Sequence, residues 1–252
     1  MADSSMGYSY TADWRWVPIL SEMTPVPLAI AHRGDPIGER ENTLAAFSAA
    51  VRHGADMIEL DLRRTADGVI VVLHDATLER LWGDPRPVAD LDVAALRLIG
   101  DGTDRVPTLT EVLDHVDLPL MIDFTETEVV AGAVDAVRNA QAMARSLFVT
   151  WNLDALRTLR ALAPEARIGV TWIEQEPPAP MVLEELAAEF WNPMFRLVTP
   201  DRVDVAHELG VQVSTWTVDE PRHMARVAEA GVDAIVSNRI ADLRQFISRE
   251  VL

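Results

Sequence analysis

The stretch Gly54-Ala55-Asp56-Met57-Ile58-Glu59-Leu60-Asp61-Leu62-Arg63-Arg64-Thr65-Ala66-Asp67-Gly68-Val69-Ile70-Val71-Val72-Leu73-His74-Asp75 decides the fold. Its first half, 55–62, reads as an apolar strand that carries two acids near its end, Glu59 and Asp61. Side chains alternate faces along a strand, so both acids share one face with Leu60 opposite. Thr65-Ala66-Asp67-Gly68 then separates two strand-like runs, 58–64 and 69–74, and Asp-Gly in that setting predicts a hairpin. A chain that climbs past Asp61, turns at Gly68 and descends brings His74 back toward the level of Glu59 and Asp61.

Outward from this stretch, short apolar runs recur at 28–32, 118–124, 147–151, 168–173, 189–191, 211–218 and 234–237. Helical patterns follow them at 44–52, 128–144, 153–162, 181–188, 203–209, 222–230 and 241–247, while the run 55–62 leads into the hairpin excursion. Strands alternating with helices build parallel βα units, and eight units in 252 residues predict an α/β fold, a closed TIM (β/α)8 barrel with a hairpin insertion after strand 2. Asn42 is expected to cap the helix that begins near Thr43, and Gly54, Gly210 and Gly231 to end helices in the left-handed conformation. His53 and His115 fall near helix C-termini, and His207 and His223 lie in amphipathic helices; these four read as structural. Residues 1–27, with Tyr8, Tyr10, Trp14 and Trp16, are expected to form a strap on the barrel, and 28–252 a single domain.

Composition narrows the function. Apolar residues make up 49% and charged residues 25%, as in ordinary globular proteins. There is no cysteine, which removes thiol catalysis and thiolate metal sites. Acids outnumber bases 40 to 22, all 22 bases are arginine, and the net charge is −18. Such a field repels polyphosphate backbones, so no nucleic-acid partner is expected. An anionic substrate would need a local reversal of that field, which a bound divalent cation can supply. No run of 18 apolar residues predicts a membrane span. Asp3 and Asp13 interrupt any signal-peptide pattern, so a cytoplasmic location is expected.

In a (β/α)8 barrel the active site is built where strands end at the C-terminal mouth. The polar residues that close apolar runs are therefore the candidates: His32-Arg33-Gly34, Glu59 and Asp61, His74-Asp75, and Asp123. Each has a plain structural alternative, an acid pair on a solvated edge or a hydrogen-bonded histidine; their coincidence at one rim is what singles them out. Three carboxylates make a hard-oxygen site suited to one Mg²⁺ or Ca²⁺ ion. Two histidines can exchange protons near neutral pH, and the Arg33 fork matches a phosphate.

Taken in order, Ala31-His32-Arg33-Gly34, Glu41-Asn42-Thr43, the run 54–61, Asp67-Gly68 and His74-Asp75 resemble the glycerophosphodiester phosphodiesterase family. Weaker likeness continues through Pro107-Thr108-Leu109, Trp216-Thr217-Val218 and Gly231-Val232-Asp233-Ala234-Ile235, over residues 28 to about 240. The resemblance implies a divalent-metal phosphodiesterase acting on a small phosphodiester. In it Glu59, Asp61 and Asp123 would hold the metal, His32 would be the base and His74 the acid. Arg33 would bind phosphate and Trp216 would pack against substrate. It also implies that a glycerol hydroxyl of the substrate can be the nucleophile, through a cyclic phosphate that water opens.

Three positions depart from the family's pattern. Asp123 stands where glutamate is usual, as in the related sphingomyelinase D-like phospholipases. Thr125 replaces a lysine, and Ser237-Asn238-Arg239 replaces the usual Thr-Asp-x-Pro. Two other readings stay open on these residues. One is a lysophospholipase D or sphingomyelinase D-like activity with Leu81, Trp82 and Met194 lining an apolar groove. The other is a ligand-binding barrel that has lost turnover. Oligomeric state is not legible in the sequence.

Overall fold

The computed structural model describes residues 26–250, so the proposed N-terminal strap lies almost wholly outside the described residues. Eight parallel strands form the barrel: β1 (Leu28–His32), β2 (Met57–Arg64), β3 (Leu120–Asp123), β4 (Ser146–Thr150), β5 (Arg167–Trp172), β6 (Phe190–Pro193), β7 (Gln212–Thr215) and β8 (Ala234–Ser237). Each pairs with its sequence neighbour, and β8 pairs with β1 while β1 pairs with β2, which closes the sheet. The helices that follow them are α1 (Leu44–Arg52), α2 (Leu109–His115), α3 (Val130–Asn139), α4 (Leu153–Leu162), α5 (Pro180–Glu185), α6 (Pro200–Glu208), α7 (Pro221–Glu229) and α8 (Ile240–Glu250).

Alternation along the strands explains the two layers of core. Ile58, Leu60 and Leu62 of β2 face outward into the helical layer, together with Phe47 of α1 and Ile122 of β3. Met57, Met121, Leu147 and Phe190 fill the barrel interior. Upward from Met57 on the same face come Glu59 and Asp61, so the interior turns from apolar to acidic toward the C-terminal mouth.

Helix starts follow local chemistry. Asn152 caps α4 through Ala155 N–H at 3.1 Å. Thr108 and Glu111 close a capping box on α2, and α5, α6 and α7 begin with proline. The expected Asn42 cap is a correction. Thr43 caps α1 by accepting from Ala46 N–H at 3.2 Å, while Asn42 adopts a positive φ of 57° and turns its amide toward Asp61. The helix expected over 128–144 is also shorter, because Gln141, at φ 55°, breaks it after Asn139.

The hairpin forms as predicted. Ile70–Val72 pairs antiparallel with β2, Leu62 opposite Val72 and Arg64 opposite Ile70. Leu73 N–H donates to Asp61 O at 2.9 Å, so the descending arm stays level with the acids up to His74. The chain then continues through a longer excursion to Thr108. Val71, Leu73, Leu78, Val88, Leu91, Leu96 and Val106 give that excursion its own small core. Among the described residues no helix is long and apolar enough to cross a membrane.

Candidate active site

Strand register assembles the mouth. His32 on β1 is the partner of Glu59 on β2, and Asp61 on β2 is the partner of Asp123 on β3. A cavity of about 190 Å³ opens there, lined by His32, Arg33, Glu59, Asp61, His74, Asp123 and Trp216 among others. All seven sequence candidates therefore meet in one depression.

Their partners define what each can do. Glu59 is only 5% exposed, and its Oε2 accepts Arg33 N–H at 3.0 Å. Burial and the neighbouring Asp61 charge push its carboxyl well above the usual carboxylate range. Burial, then Asp61, likewise raises Asp123 to about 8. Asp61 accepts from Asn42 Nδ2 at 2.7 Å and sits 3.0 Å from Arg33 Nε. Among the described residues no three acidic or histidine side chains already stand as a closed cluster of ligands. The donor set nonetheless suits a hard cation in kind: three carboxylates on adjoining strand ends, Glu59 buried and Asp123 half-buried, both carrying excess proton affinity that a cation would relieve.

Arg33 is held by acids on both sides. Its NH1 donates to Glu41 Oε1 at 2.9 Å, and its Nε, beside Asp61, is not aligned for a hydrogen bond. Glu41 also receives both terminal nitrogens of Arg80, whose Nε donates to Asp75 Oδ2 at 2.6 Å. Asp75 Oδ1 in turn lies 2.6 Å from His74 Nδ1. An unbroken chain of charges thus runs from Arg33 to His74. The Arg80 hydrogen bond, followed by that of His74, holds the Asp75 carboxyl down at about 2.

The two histidines differ in setting. His32 is largely buried, its Nδ1 is 2.7 Å from Asn238 Oδ1, and its Nε2 is 3.8 Å from Glu59 Oε2. Burial, then the Arg33 charge, lowers its pKa from the ordinary imidazole value. The His74 side chain is 47% exposed and its acceptor is a carboxylate. Trp216 donates from Nε1 to Asn192 O at 3.0 Å, which fixes the indole on the wall.

Sequence reading missed several lining groups. Trp151, 56% exposed, follows β4, and Asn192 belongs to β6. Arg63 lines the cavity while it donates from Nε to His74 O at 2.9 Å and from NH1 to Glu126. The strand-end rule that found Asp123 points equally to Trp151 and Asn192. The groove residues proposed for a lipid reading are placed otherwise. Leu81 and Trp82 pack in the excursion's core, Arg40 covers the Trp82 ring at 4.1 Å, and Met194 is absent from the lining. The four remaining histidines serve structure: His53 meets Asp35, His115 meets Ser48, His207 meets Asp233 and His223 packs on Phe195.

Fold and mouth together define a (β/α)8-barrel protein with an acid- and histidine-lined cavity at its catalytic face. A family model described as the glycerophosphoryl diester phosphodiesterase family matches residues 32–242. The chain is 31% identical over 231 residues to a glycerophosphodiester phosphodiesterase of Caldanaerobacter subterraneus, covering 84% of this chain and 93% of that one. Among solved structures, an Oleispira antarctica phosphodiesterase in complex with sn-glycerol-3-phosphate superposes with a TM-score of 0.83 at 23% identity. That match covers 88% of this chain and 97% of the other. A glycerophosphodiester phosphodiesterase of Thermotoga maritima gives a TM-score of 0.74 at 23% identity, over 86% and 97%. The chain belongs to the glycerophosphoryl diester phosphodiesterase family, and it is an enzyme of that family.

Proposed function

We propose that this enzyme hydrolyses glycerophosphodiesters to glycerol 3-phosphate and an alcohol, with one divalent cation, Mg²⁺ or Ca²⁺, held by Glu59, Asp61 and Asp123. The observation that carries the reading is the pairing in register of His32 with Glu59 and of Asp61 with Asp123, which gathers base and carboxylates at one strand-end level. The product bound to the Oleispira antarctica protein supports the same substrate class. When bound, the cation would neutralise charge on the phosphoryl oxygens as a Lewis acid.

The chain's own residues divide the proton work. A largely buried, neutral His32 takes the proton of the attacking hydroxyl as the new O–P bond forms. His74 gives a proton to the departing alkoxide oxygen as the old P–O bond breaks, with Asp75 paired to the ring while it is charged. The attacking hydroxyl being the substrate's own, water then opens the cyclic phosphate, giving its proton to His74 while His32 returns one to the ring oxygen. The largely buried ring of His32 and the exposed, carboxylate-paired ring of His74 suit separate base and acid roles. Arg33 and Arg63 bring two guanidinium charges into the lining, where the family pattern has a lysine at the position of Thr125. Trp216 offers a flat apolar wall to the glycerol moiety.

Product release by EDTA-stripped protein tests the reading. Glycerophosphocholine, glycerophosphoethanolamine, glycerophosphoinositol and lysophosphatidylcholine are offered with and without Mg²⁺ or Ca²⁺. Glycerol 3-phosphate that appears only after a cation is restored is the expected result. Turnover of the lysolipid alone, or cation-independent turnover, would overturn it.

A further inference from the structure

The β8–α8 turn, where Ser237-Asn238-Arg239 departs from the family's pattern, contacts the candidate base directly. Ser237 is the register partner of Ala31, so Asn238 comes level with His32 across the β1–β8 seam. Asp219 follows β7, and Val218 N–H donates to Val236 O at 2.9 Å, which draws that loop against β8. Asp219 Oδ1 accepts Asn238 N–H at 2.8 Å and the Ser237 hydroxyl at 3.0 Å. Its Oδ2 accepts Asn238 Nδ2 at 2.8 Å.

We propose that Asp219 and Asn238 are positioning residues that hold His32 in a single tautomer, proton on Nδ1 and lone pair on Nε2. The chemistry of the donors and acceptors compels this order. A carboxylate only accepts, so the NH₂ end of the Asn238 amide must face Asp219. The carbonyl end then faces His32 Nδ1 at 2.7 Å, and a carbonyl oxygen only accepts. Nδ1 must therefore carry the proton, which leaves Nε2 as the lone pair toward Glu59 and the cavity. A reversed amide would present NH₂ to Nδ1 and put the proton on Nε2, where no base could act. Asp219 prevents that reversal.

A simpler role for this cluster is to tie down the turn. That role needs only Asp219 Oδ1, the Asn238 backbone N–H and the Ser237 hydroxyl, and none of these depends on the Asn238 side chain. Asn238→Ala consequently separates the two roles, because it deletes the amide and keeps the turn.

The inference rests on His32 as the base, and its first readout does not depend on turnover. Protein labelled with ring-¹⁵N histidine, in Mg²⁺ buffer at slightly alkaline pH, is examined by NMR, with His32 assigned by its loss in His32→Ala. The expected wild-type spectrum has a protonated Nδ1 and an unprotonated Nε2. In Asn238→Ala the two tautomers should mix and the ring should also lose the orientation that the 2.7 Å contact gives it, with kcat down about 10-fold or more and KM within about twofold. Asp219→Asn should give a partial mixture, since the amide is then free to reverse. A wild-type proton on Nε2, or an Asn238→Ala spectrum unchanged from wild type, would overturn the relay. Mixed tautomers with undiminished kcat would uphold the relay and instead remove His32 as the base. The wild-type spectrum decides even if Asn238→Ala does not fold.

Discussion

Asp61 and Asp123 stand opposite each other in register on neighbouring parallel strands, both at the strand ends that form the mouth. Asp123 is held at about 8, by burial first and Asp61 second, against an ordinary 3.8. At Asp123 the folded, cation-free protein thus keeps a proton that the unfolded chain has released, and the stability this carboxyl contributes is lost as pH rises from about 4 toward 8. A cation needs the ionised carboxylates, so its binding should release protons and strengthen about tenfold per pH unit for each proton released. Calorimetric Mg²⁺ titration at pH 7 in buffers of different ionisation heat reads that release. The gain in Tm on adding Mg²⁺ should also be larger at pH 8 than at pH 6. Cation affinity independent of pH would contradict the carboxylate site.

Glu59→Gln separates charge from shape. The amide oxygen can still accept Arg33 N–H, as Glu59 Oε2 does at 3.0 Å, so the turn after β1 keeps its hydrogen bond. Loss of the negative charge should weaken cation binding at least about tenfold while Tm of the cation-free protein is retained. An unchanged titration curve would exclude Glu59 as a ligand.

His32→Ala and His74→Ala should each lower kcat about 10²- to 10⁴-fold, the usual worth of a positioned acid or base. Both variants should keep the wild-type circular dichroism spectrum. Turnover at the wild-type level in either one removes that residue from the mechanism.

Asp75 joins His74 to Arg80, and through Arg80 and Glu41 to Arg33. Asp75→Asn should lower kcat about tenfold and leave KM nearly unchanged, because a charged His74 loses its counter-ion while the substrate's own contacts remain. An equal rise in KM with constant kcat would mean that Asp75 serves substrate binding rather than proton transfer.

Gly34 has φ +87°, and a Cβ there would lie 2.7 Å from the Ala46 backbone carbon. Gly34→Ala should cost about 2 kcal/mol or more, from left-handed strain and the clash with α1 together. Urea denaturation measures it, and a midpoint equal to that of the wild type would contradict the close approach.

Most of the barrel was legible because its signals are local. Strand and helix periods need only a short window of sequence, and the observed β1, α1 and α4 begin and end where periodicity puts them. The hairpin was legible from Asp67-Gly68 for the same reason. Asn42 was misread because a cap and a long-range hydrogen-bonding side chain have the same local appearance; which one forms depends on Asp61, 19 residues away. Gln141 gave no warning of the break it makes in α3.

By itself the sequence determined the eightfold βα rhythm, the shared face of Glu59 and Asp61, the return of His74, and the acidic, cysteine-free composition. Each follows from side-chain period, turn chemistry or counting, which need no knowledge of distant neighbours. Only the tertiary structure decided which groups meet: His32 with Asn238, 206 residues apart, Arg33 with Glu41 and Asp61, and Arg63 with the His74 carbonyl. Closing the barrel sets β8 beside β1 and fixes those encounters. Proton affinities at the mouth are then decided by burial and by the charges that closure brings together.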